Sequence, residues 1–429
     1  MTTVAYLANE FPSPSEPYVR EEIAELERRG IEVISGSVRR SRSMGATNNT
    51  FHPQIVLQPI SVTVLVQAAF LCARKWMQIA PLVLRVLICG GEGPLQRIKA
   101  LAHTFLGACY AVRLQGRDVG HIHVHHGYFG SWVAMSAARL MDISFSMTLH
   151  GSDLLLHPAY LDMKLAACKF CLTVSQYNRE HILEHYPQTS GEKVIVSRMG
   201  VDVPLTITAQ IAAQATGSKL KILAVGRLHP VKDHAFLIRA CAELVTMGVE
   251  FECSIAGDGP ERASMENLIS ECELGQSVTL LGHIDSAQLG PMYDAADVVA
   301  LTSRSEGIPL VLMEATARGA IVLAPAITGI PELVIPGKTG FLYRSGSMND
   351  FLAQLLFIRA MIFAAESAES NSSNSANATL DWIRHAAHVH VLHNFNRTKN
   401  LQCFADLFLE RISSQREQMP DENFVLQQV

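Results

Sequence analysis

Charged and aromatic residues are both scarce in this sequence: 17% of the residues are charged and 7% are Phe, Trp or Tyr, against 48% that are hydrophobic. With a formal net charge of −5, the chain lacks the basic excess that would point to nucleic acid. Its nine cysteines are odd in number and scattered. Only Cys168-Lys169-Phe170-Cys171 has C-x-x-C spacing, and no second pair or nearby histidine completes a zinc set. Reduced thiols in a cytoplasm fit that pattern better than a disulfide framework. No uniformly apolar run reaches the roughly eighteen residues of a membrane span. The most apolar region, residues 55–91, is interrupted by Gln58, Pro59, Ser61, Thr63 and Gln67, and then by Arg74, Lys75, Pro81 and Arg85. The first residues, Met-Thr-Thr-Val-Ala-Tyr-Leu-Ala, lack the basic start of a signal peptide and read as a strand. A G-x-G-x-x-G turn is missing too. Neither Ala8-Asn9-Glu10 nor Val225-Gly226-Arg227 supplies one, which weighs against a dinucleotide-dependent oxidoreductase.

At 429 residues the chain is long enough for two domains. Short apolar runs alternate with amphipathic helices in both halves. The expected strands cover residues 4–8, 32–37, 122–125, 144–149, 171–174 and 194–196 in the first half. In the second they cover 220–225, 251–256, 278–281, 298–301 and 321–324. Between the first two strands, Val19, Ile23 and Leu26 recur at helical spacing and Gly30 closes the helix. Repeated βαβ units of this kind predict an α/β protein with two Rossmann-like parallel-sheet domains facing a cleft. The first domain is expected over residues 1–201, a linker over 202–218 and the second domain over 219–363. The low-complexity stretch 364–379 reads as a flexible surface loop, 380–412 as renewed helix and 413–429 as a tail.

Glu306-Gly-Ile-Pro-Leu-Val-Leu-Met-Glu314 follows the apolar run at 298–301. This places Glu306 on a strand-to-helix loop, Pro309 in the first helical turn and Glu314 inside the helix. Eight positions make a little over two turns, so both carboxylates can face one ligand, and the helix start favours a phosphate. Such a set suits a sugar nucleotide: carboxylates accept from hydroxyls while N–H groups hold the diphosphate. Val225-Gly226-Arg227-Leu-His-Pro-Val-Lys232 ends another strand, and its guanidinium and ammonium make a sensible diphosphate clamp. Ala256-Gly257-Asp258-Gly259-Pro260 and Leu281-Gly282-His283-Ile284 are further strand-end glycine loops, the second placed to flank a base. In the first half, His150-Gly151-Ser152-Asp153 also ends a strand. His121, His123 and His125 would share one strand face, yet no partner acid or cysteine stands nearby, so a metal is not expected there. Asn9-Glu10-Phe-Pro-Ser-Pro-Ser15-Glu16-Pro17 follows the first strand. Ser15 is placed to cap the first helix, or the loop lines the acceptor side.

These motifs, together with Ser303…Glu306-Gly-Ile-Pro…Glu314-Ala315 and Gly329…Glu332…Gly340-Phe341-Leu342, resemble the retaining family 4 glycosyltransferases. The resemblance is dense over residues 220–341. In the first half, Glu10-Phe-Pro-Ser-Pro-Ser-Glu-Pro-Tyr-Val and His150-Gly-Ser-Asp resemble members that build bacterial exopolysaccharides, colanic-acid type included. The resemblance implies the GT-B fold, with a final helix, residues 380–412, crossing back to the first domain. It implies transfer of a sugar from a nucleotide diphosphate sugar to a lipid-linked glycan with retention, and no cofactor beyond that donor. It also implies roles: Arg227 and Lys232 on the donor diphosphate, Glu314 on the ribose, and Glu306, with the loop of Gly307 and Ile308, by the donor sugar. His150 would lie near the reacting carbon. Many relatives carry a glycine pair where Glu10-Phe11-Pro12 stands here. Metal is usually dispensable in this fold, in keeping with the lack of an Asp-x-Asp motif. A sugar-nucleotide epimerase of the same fold is the near alternative, and a non-catalytic scaffold a more distant one.

Residues 70–117 carry seven cations, Arg74, Lys75, Arg85, Arg97, Lys99, Arg113 and Arg117, against the single acid Glu92. One reading is a helical layer with solvated basic ends. The other is a face resting on the anionic inner surface of the cell membrane, which would make the protein cytoplasmic and peripherally bound.

Overall fold

The structure, a computed structural model, describes residues 3–13, 16–40, 52–88, 91–204, 219–367 and 375–414. The chain divides into two compact units, one of residues 1–197 with 401–429 and one of residues 198–400. Each is a parallel sheet with helices on both faces, as the alternating pattern requires.

In the first unit the strands are β1 (Thr3–Glu10), β2 (Val33–Arg39), β3 (Ile55–Val56), β4 (Val119–His125), β5 (Ser144–Leu149), β6 (Cys171–Thr173) and β7 (Val194–Val196). They stand in the order β3-β2-β1-β4-β5-β6-β7, every neighbour parallel. The helices are α1 (Pro17–Arg28), α2 (Val62–Arg74), α3 (Trp76–Ile88), α4 (Pro94–Leu114), α5 (Phe129–Met141), α6 (Ser152–Leu155), α7 (Leu161–Ala167) and α8 (Gln176–His185). The order reverses beside β1, so the loops after β1 and β4 diverge at one point of the strands' carboxyl edge, the usual place for a ligand in an open sheet.

The second unit holds β8 (Leu220–Val225), β9 (Phe251–Ala256), β10 (Val278–Gly282), β11 (Val298–Ala300), β12 (Ile321–Pro325) and β13 (Phe341–Tyr343) in the order β10-β9-β8-β11-β12-β13. Its switch point lies between β8 and β11. Between and beyond the strands run α9 (His234–Thr246), α10 (Arg262–Glu271), α11 (Ser286–Ala295), α12 (Leu310–Ala317), α13 (Ile330–Leu333), α14 (Met348–Ser367) and α15 (Ser375–Asn394). The last helix, α16 (Arg397–Ser413), carries the chain back into the first unit.

The end of the chain departs from expectation. Instead of one helix over residues 380–412 there are two, parted at Phe395-Asn396, and only the second belongs with the first unit's core. Leu380, Ile383, Val391 and Phe395 are buried in the second unit's clusters, so α15 stays there. Phe404 and Phe408 pack instead beside Tyr6, Phe170 and Leu172. The expected loop at 364–379 is invaded from both sides, since α14 runs to Ser367 and α15 starts at Ser375. Alanine is the best helix former and both flanks are rich in it, so propensity extends the helices. Residues 368–374 lie outside the described residues, as does most of the expected linker and all of the tail after Ser414. Val201 forms a bridge to Asn396, which places the expected boundary at 201 inside the second unit.

Candidate functional site

In the second unit, β8 stops at Val225 and the following loop meets the one after β9 backbone to backbone. Gly226 N–H donates to the Ala256 carbonyl at 2.9 Å and Leu228 N–H to that of Asp258 at 3.0 Å. Gly257 has φ +153°, and a Cβ there would lie 1.9 Å from the Gly226 carbonyl oxygen. Only glycine permits this approach. The loop after β11 is joined to the same strand end. Arg304 N–H donates to Val231 O at 2.8 Å, Thr302 Oγ1 to Lys232 O at 3.0 Å and Arg304 Nε to Asp233 Oδ2 at 2.7 Å.

This bracing brings Lys232 to Glu306. The ammonium donates to Glu306 Oε1 at 2.5 Å, with the two side chains 19% and 12% exposed. Arg227, on the same loop, is exposed. Just ahead of Glu306, Ser303 and Ser305 are buried, and their hydroxyls find no hydrogen-bond partner among the described residues. Ser305 escapes a reading of the sequence alone, although a Ser-x-Ser step at a strand end is visible there.

Pro309 caps α12 rather than entering its first turn, one residue from the expected place. Glu314 is half-buried and accepts from Tyr293 Oη at 2.8 Å. Burial raises its pKa above the ordinary carboxyl value, partly offset by that bond. Glu306 and Glu314 therefore have separate partners. Two residues expected to contact the donor differ in their exposure. Ile308 is 3% exposed and packs with Val299 and Leu312, so its side chain is core and only its backbone is left for a ligand. Gly307 beside it is half-buried. His283 is 74% exposed and lies 3.6 Å from Asp285, while Gly282, at φ +74°, accepts from Gly257 N–H at 2.8 Å. The motif residues Glu332 and Gly340 hold the fold. Glu332 pairs with Arg198 at 2.8 Å and its carbonyl accepts from His390 at 2.8 Å, which anchors α15. A Cβ on Gly340 would meet Val322 at 2.5 Å.

In the first unit, His150 stands at the end of β5 on a loop fixed by one buried carboxylate. Asp153 accepts from the N–H groups of His150 (3.0 Å), Gly151 (2.7 Å) and Gly127 (2.7 Å), joining the loops after β4 and β5. Lys164, buried with its ammonium donating to the carbonyls of Gly127 and Ala159 at 2.7 Å, holds the same turn from below. Burial draws its pKa down to about 7 against the opposing charges of Asp153 and Asp162. His126, at φ +70°, lies 3.1 Å from Glu16. Burial acts to lower its pKa, but the bond to Glu16 and the charges of Asp153 and Glu16 raise it overall.

The histidines of β4 do share one face, and β5 answers them with hydroxyls: His121 meets Ser144 and Ser146, and His123 meets Ser146 and Thr148, at 2.7–3.1 Å. The expectation that no acid stands near them is corrected. Glu22 of α1 comes within 3.1 Å of His125 Nε2, and Glu22, His123 and His125 hold possible ligand atoms within 4.8 Å of one another. Each nitrogen of that group already has a hydrogen-bonding neighbour, so the arrangement is a filled polar network. A signal was available. Glu22 falls three residues after Val19 and four before Leu26, on the apolar stripe of its helix, where a carboxylate needs a reason. Ser15, expected to cap that helix, lies outside the described residues.

Residues 208–361 match the family Glycosyl transferases group 1. A protein of Salmonella typhimurium named as the colanic acid biosynthesis glycosyltransferase WcaL is 37% identical over 170 residues, 38% of this chain and 41% of its own length. The amylovoran biosynthesis glycosyltransferase AmsK of Erwinia amylovora is 34% identical over 172 residues, 39% of this chain and 42% of its own. The match thus spans about two fifths of these relatives. Among solved structures, a glycosyltransferase from Rickettsia africae is similar with a TM-score of 0.65 at 17% identity, covering 96% of this chain and 100% of that one. Anabaena Alr3699/HepE in complex with UDP-glucose has a TM-score of 0.65 at 18% identity, with the same coverage. The fold is GT-B, two parallel-sheet α/β units.

Proposed function

We propose that the group 1 glycosyltransferase domain binds a nucleotide diphosphate sugar, and that the protein transfers the sugar with retention to a glycan in exopolysaccharide synthesis. The observation that carries this reading is the Lys232–Glu306 pair, held where the loops after β8 and β11 are joined, with Arg227 on the same loop. Arg227 and Lys232 would stabilise charge on the departing diphosphate, which fixed cations do well because they need no reorganisation during the reaction. Glu306 would sit by the sugar, Glu314 would take the ribose hydroxyls, and His150 would contact a sugar hydroxyl. Relatives named for colanic acid and amylovoran synthesis, and a fold neighbour solved with UDP-glucose, support the substrate class. The test is a binding and turnover panel of UDP-, GDP- and ADP-sugars with and without a lipid-linked glycan. Transfer from none of them, or conversion of the donor without any acceptor, would overturn the proposal, the latter in favour of an epimerase.

Glu314→Ala is expected to weaken donor binding chiefly, by about tenfold for the loss of a charged hydrogen-bond acceptor. Titration calorimetry with the preferred donor checks this. An effect confined to acceptor affinity would contradict the placement of Glu314.

The acceptor we propose is lipid-linked, with the protein resting peripherally on the cytoplasmic face of an anionic membrane. On α2, Val62, Val66 and Phe70 recur every fourth residue and are 65–75% exposed. Met77, Leu87 and Ile88 of α3 and Leu95 and Ile98 of α4 are exposed as well. Arg74, Lys99, Arg113 and Arg117 are exposed on these helices or just beyond them. Two of the seven cations have structural work. Arg85 is tied to Glu92 and Asp162, and Arg97 donates to carbonyls at the end of α3. No helix among the described residues is long and apolar enough to cross a membrane. Salt-sensitive sedimentation with anionic vesicles is therefore expected, each surface cation contributing on the order of 1 kcal/mol at low salt. The combined change Phe70→Ser, Arg74→Glu and Lys99→Glu should abolish it. Wild-type protein left in the supernatant at low salt would sink the docking reading.

A further inference from the structure

We infer that Glu22 and His125 are positioning residues that hold the His150 imidazole in a single tautomer, with its proton on Nε2 and its Nδ1 bare, so that His150 receives a hydroxyl of the substrate and not a phosphate oxygen. The functional half of this rests on the proposal that His150 touches the sugar. The tautomer itself does not.

The protons can be followed outward from the carboxylate. An ionised carboxylate only accepts. Glu22 Oε2 accepts from Tyr6 Oη at 3.2 Å and lies 3.1 Å from His125 Nε2, so that nitrogen carries a hydrogen. With a single N–H on His125, its Nδ1 is left as an acceptor. Facing it at 3.1 Å is His150 Nε2, which must then be the donor. His150 carries no second proton either. Burial pushes its pKa well below the usual value, and the neighbouring His126, His125 and His123 push it further. Its remaining nitrogen, Nδ1, therefore bears a lone pair. That atom is buried and has no hydrogen-bond partner among the described residues. Ring contacts fix where it points: His150 lies against Tyr18 at 4.7 Å, His126 at 4.5 Å and His125 at 5.4 Å between ring centroids. Its own backbone is held by Asp153.

A buried bare nitrogen at the end of a strand discriminates by chemistry. It accepts from an O–H, and it repels a phosphate oxygen, which has no proton to give at neutral pH. The carboxylate thus sets, two residues away, which kind of group the site admits. Nothing on β5 itself could do this, because the His150 N–H is bound to Asp153 and the ring's orientation comes from α1 and β4.

The tautomer is read from nitrogen-15 shifts correlated to the carbon-bound ring protons of His150, assigned by comparison with His150→Phe. A pyrrole-type Nε2 with a pyridine-type Nδ1 is expected, and the reverse pattern or an even mixture would overturn the inference. Removing the acceptor in Glu22→Leu should convert the single tautomer to a mixture. It should also lower kcat/KM by about tenfold, the scale of one hydrogen bond. In the His150→Phe background the same change should cost nothing more, which a general structural defect would not reproduce. An additive loss in the double variant would assign Glu22 to stability alone. If Glu22→Leu does not fold, the wild-type spectrum and the milder Glu22→Gln, read by the same shifts, still decide. Full activity in His150→Phe alongside the expected tautomer would remove His150 from the substrate site and leave the proton arrangement standing.

Discussion

Lys232→Ala and Arg227→Ala are each expected to lower turnover by roughly two to three orders of magnitude, the scale for removing one preorganised group that stabilises developing charge. Two effects are combined in the lysine variant, and they can be separated. The ammonium is bonded to Glu306, whose side chain is only 12% exposed, so its loss also leaves a carboxylate without its partner. In Lys232→Ala with Glu306→Gln that charge is gone. If Lys232 acts on the leaving diphosphate, the double variant stays as slow as the single one. Recovery toward wild-type turnover would mean that the lysine serves mainly to hold Glu306. Nucleotide release measured at saturating donor gives the answer, with circular dichroism to confirm the fold. Wild-type turnover in both single variants would remove the pair from the mechanism.

The second large effect is one of shape. Gly257→Ala puts a methyl 1.9 Å from the Gly226 carbonyl oxygen on a backbone at φ +153°. The conformational strain and the overlap together should cost on the order of 2–6 kcal/mol. Gly248→Ala is the control. Its φ is +68°, a Cβ there meets nothing within 4 Å, and only the left-handed conformation is penalised, by about 1–2 kcal/mol. Urea unfolding of the two variants should show a clear gap. Equal losses would mean that the two loops part easily. Because Gly226 leads the loop that carries Arg227 and Lys232, the same substitution should weaken donor binding in whatever protein still folds.

The strands were legible because parallel strands buried on both faces read as plain apolar runs, as in Val298-Val299-Ala300-Leu301. Two escaped, Ile55–Val56 and Phe341–Tyr343, which are defined by the neighbour they pair with. Loop positions were legible where glycine marks a strand end, which is why Gly226, Gly257 and Gly282 could be named. The partners were not. Nothing local joins Lys232 to Glu306, 74 residues apart, or Glu22 to His125, 103 apart. Burial had to be seen as well: Ile308 looks like part of a binding loop in sequence and is core in space.

The return of the chain has a consequence for how the protein is made. Phe404 and Phe408, which fill one face of the first sheet beside Tyr6 and Phe170, leave the ribosome after the whole of the second unit. Until then, the nascent first unit holds β1 and β6 with an apolar surface uncovered, whereas the second unit has every strand and both long helices α14 and α15 available sooner. Vectorial synthesis thus completes the later unit before the earlier one, and the exposed face of the first sheet is the surface that a chaperone would have to shield in the interval.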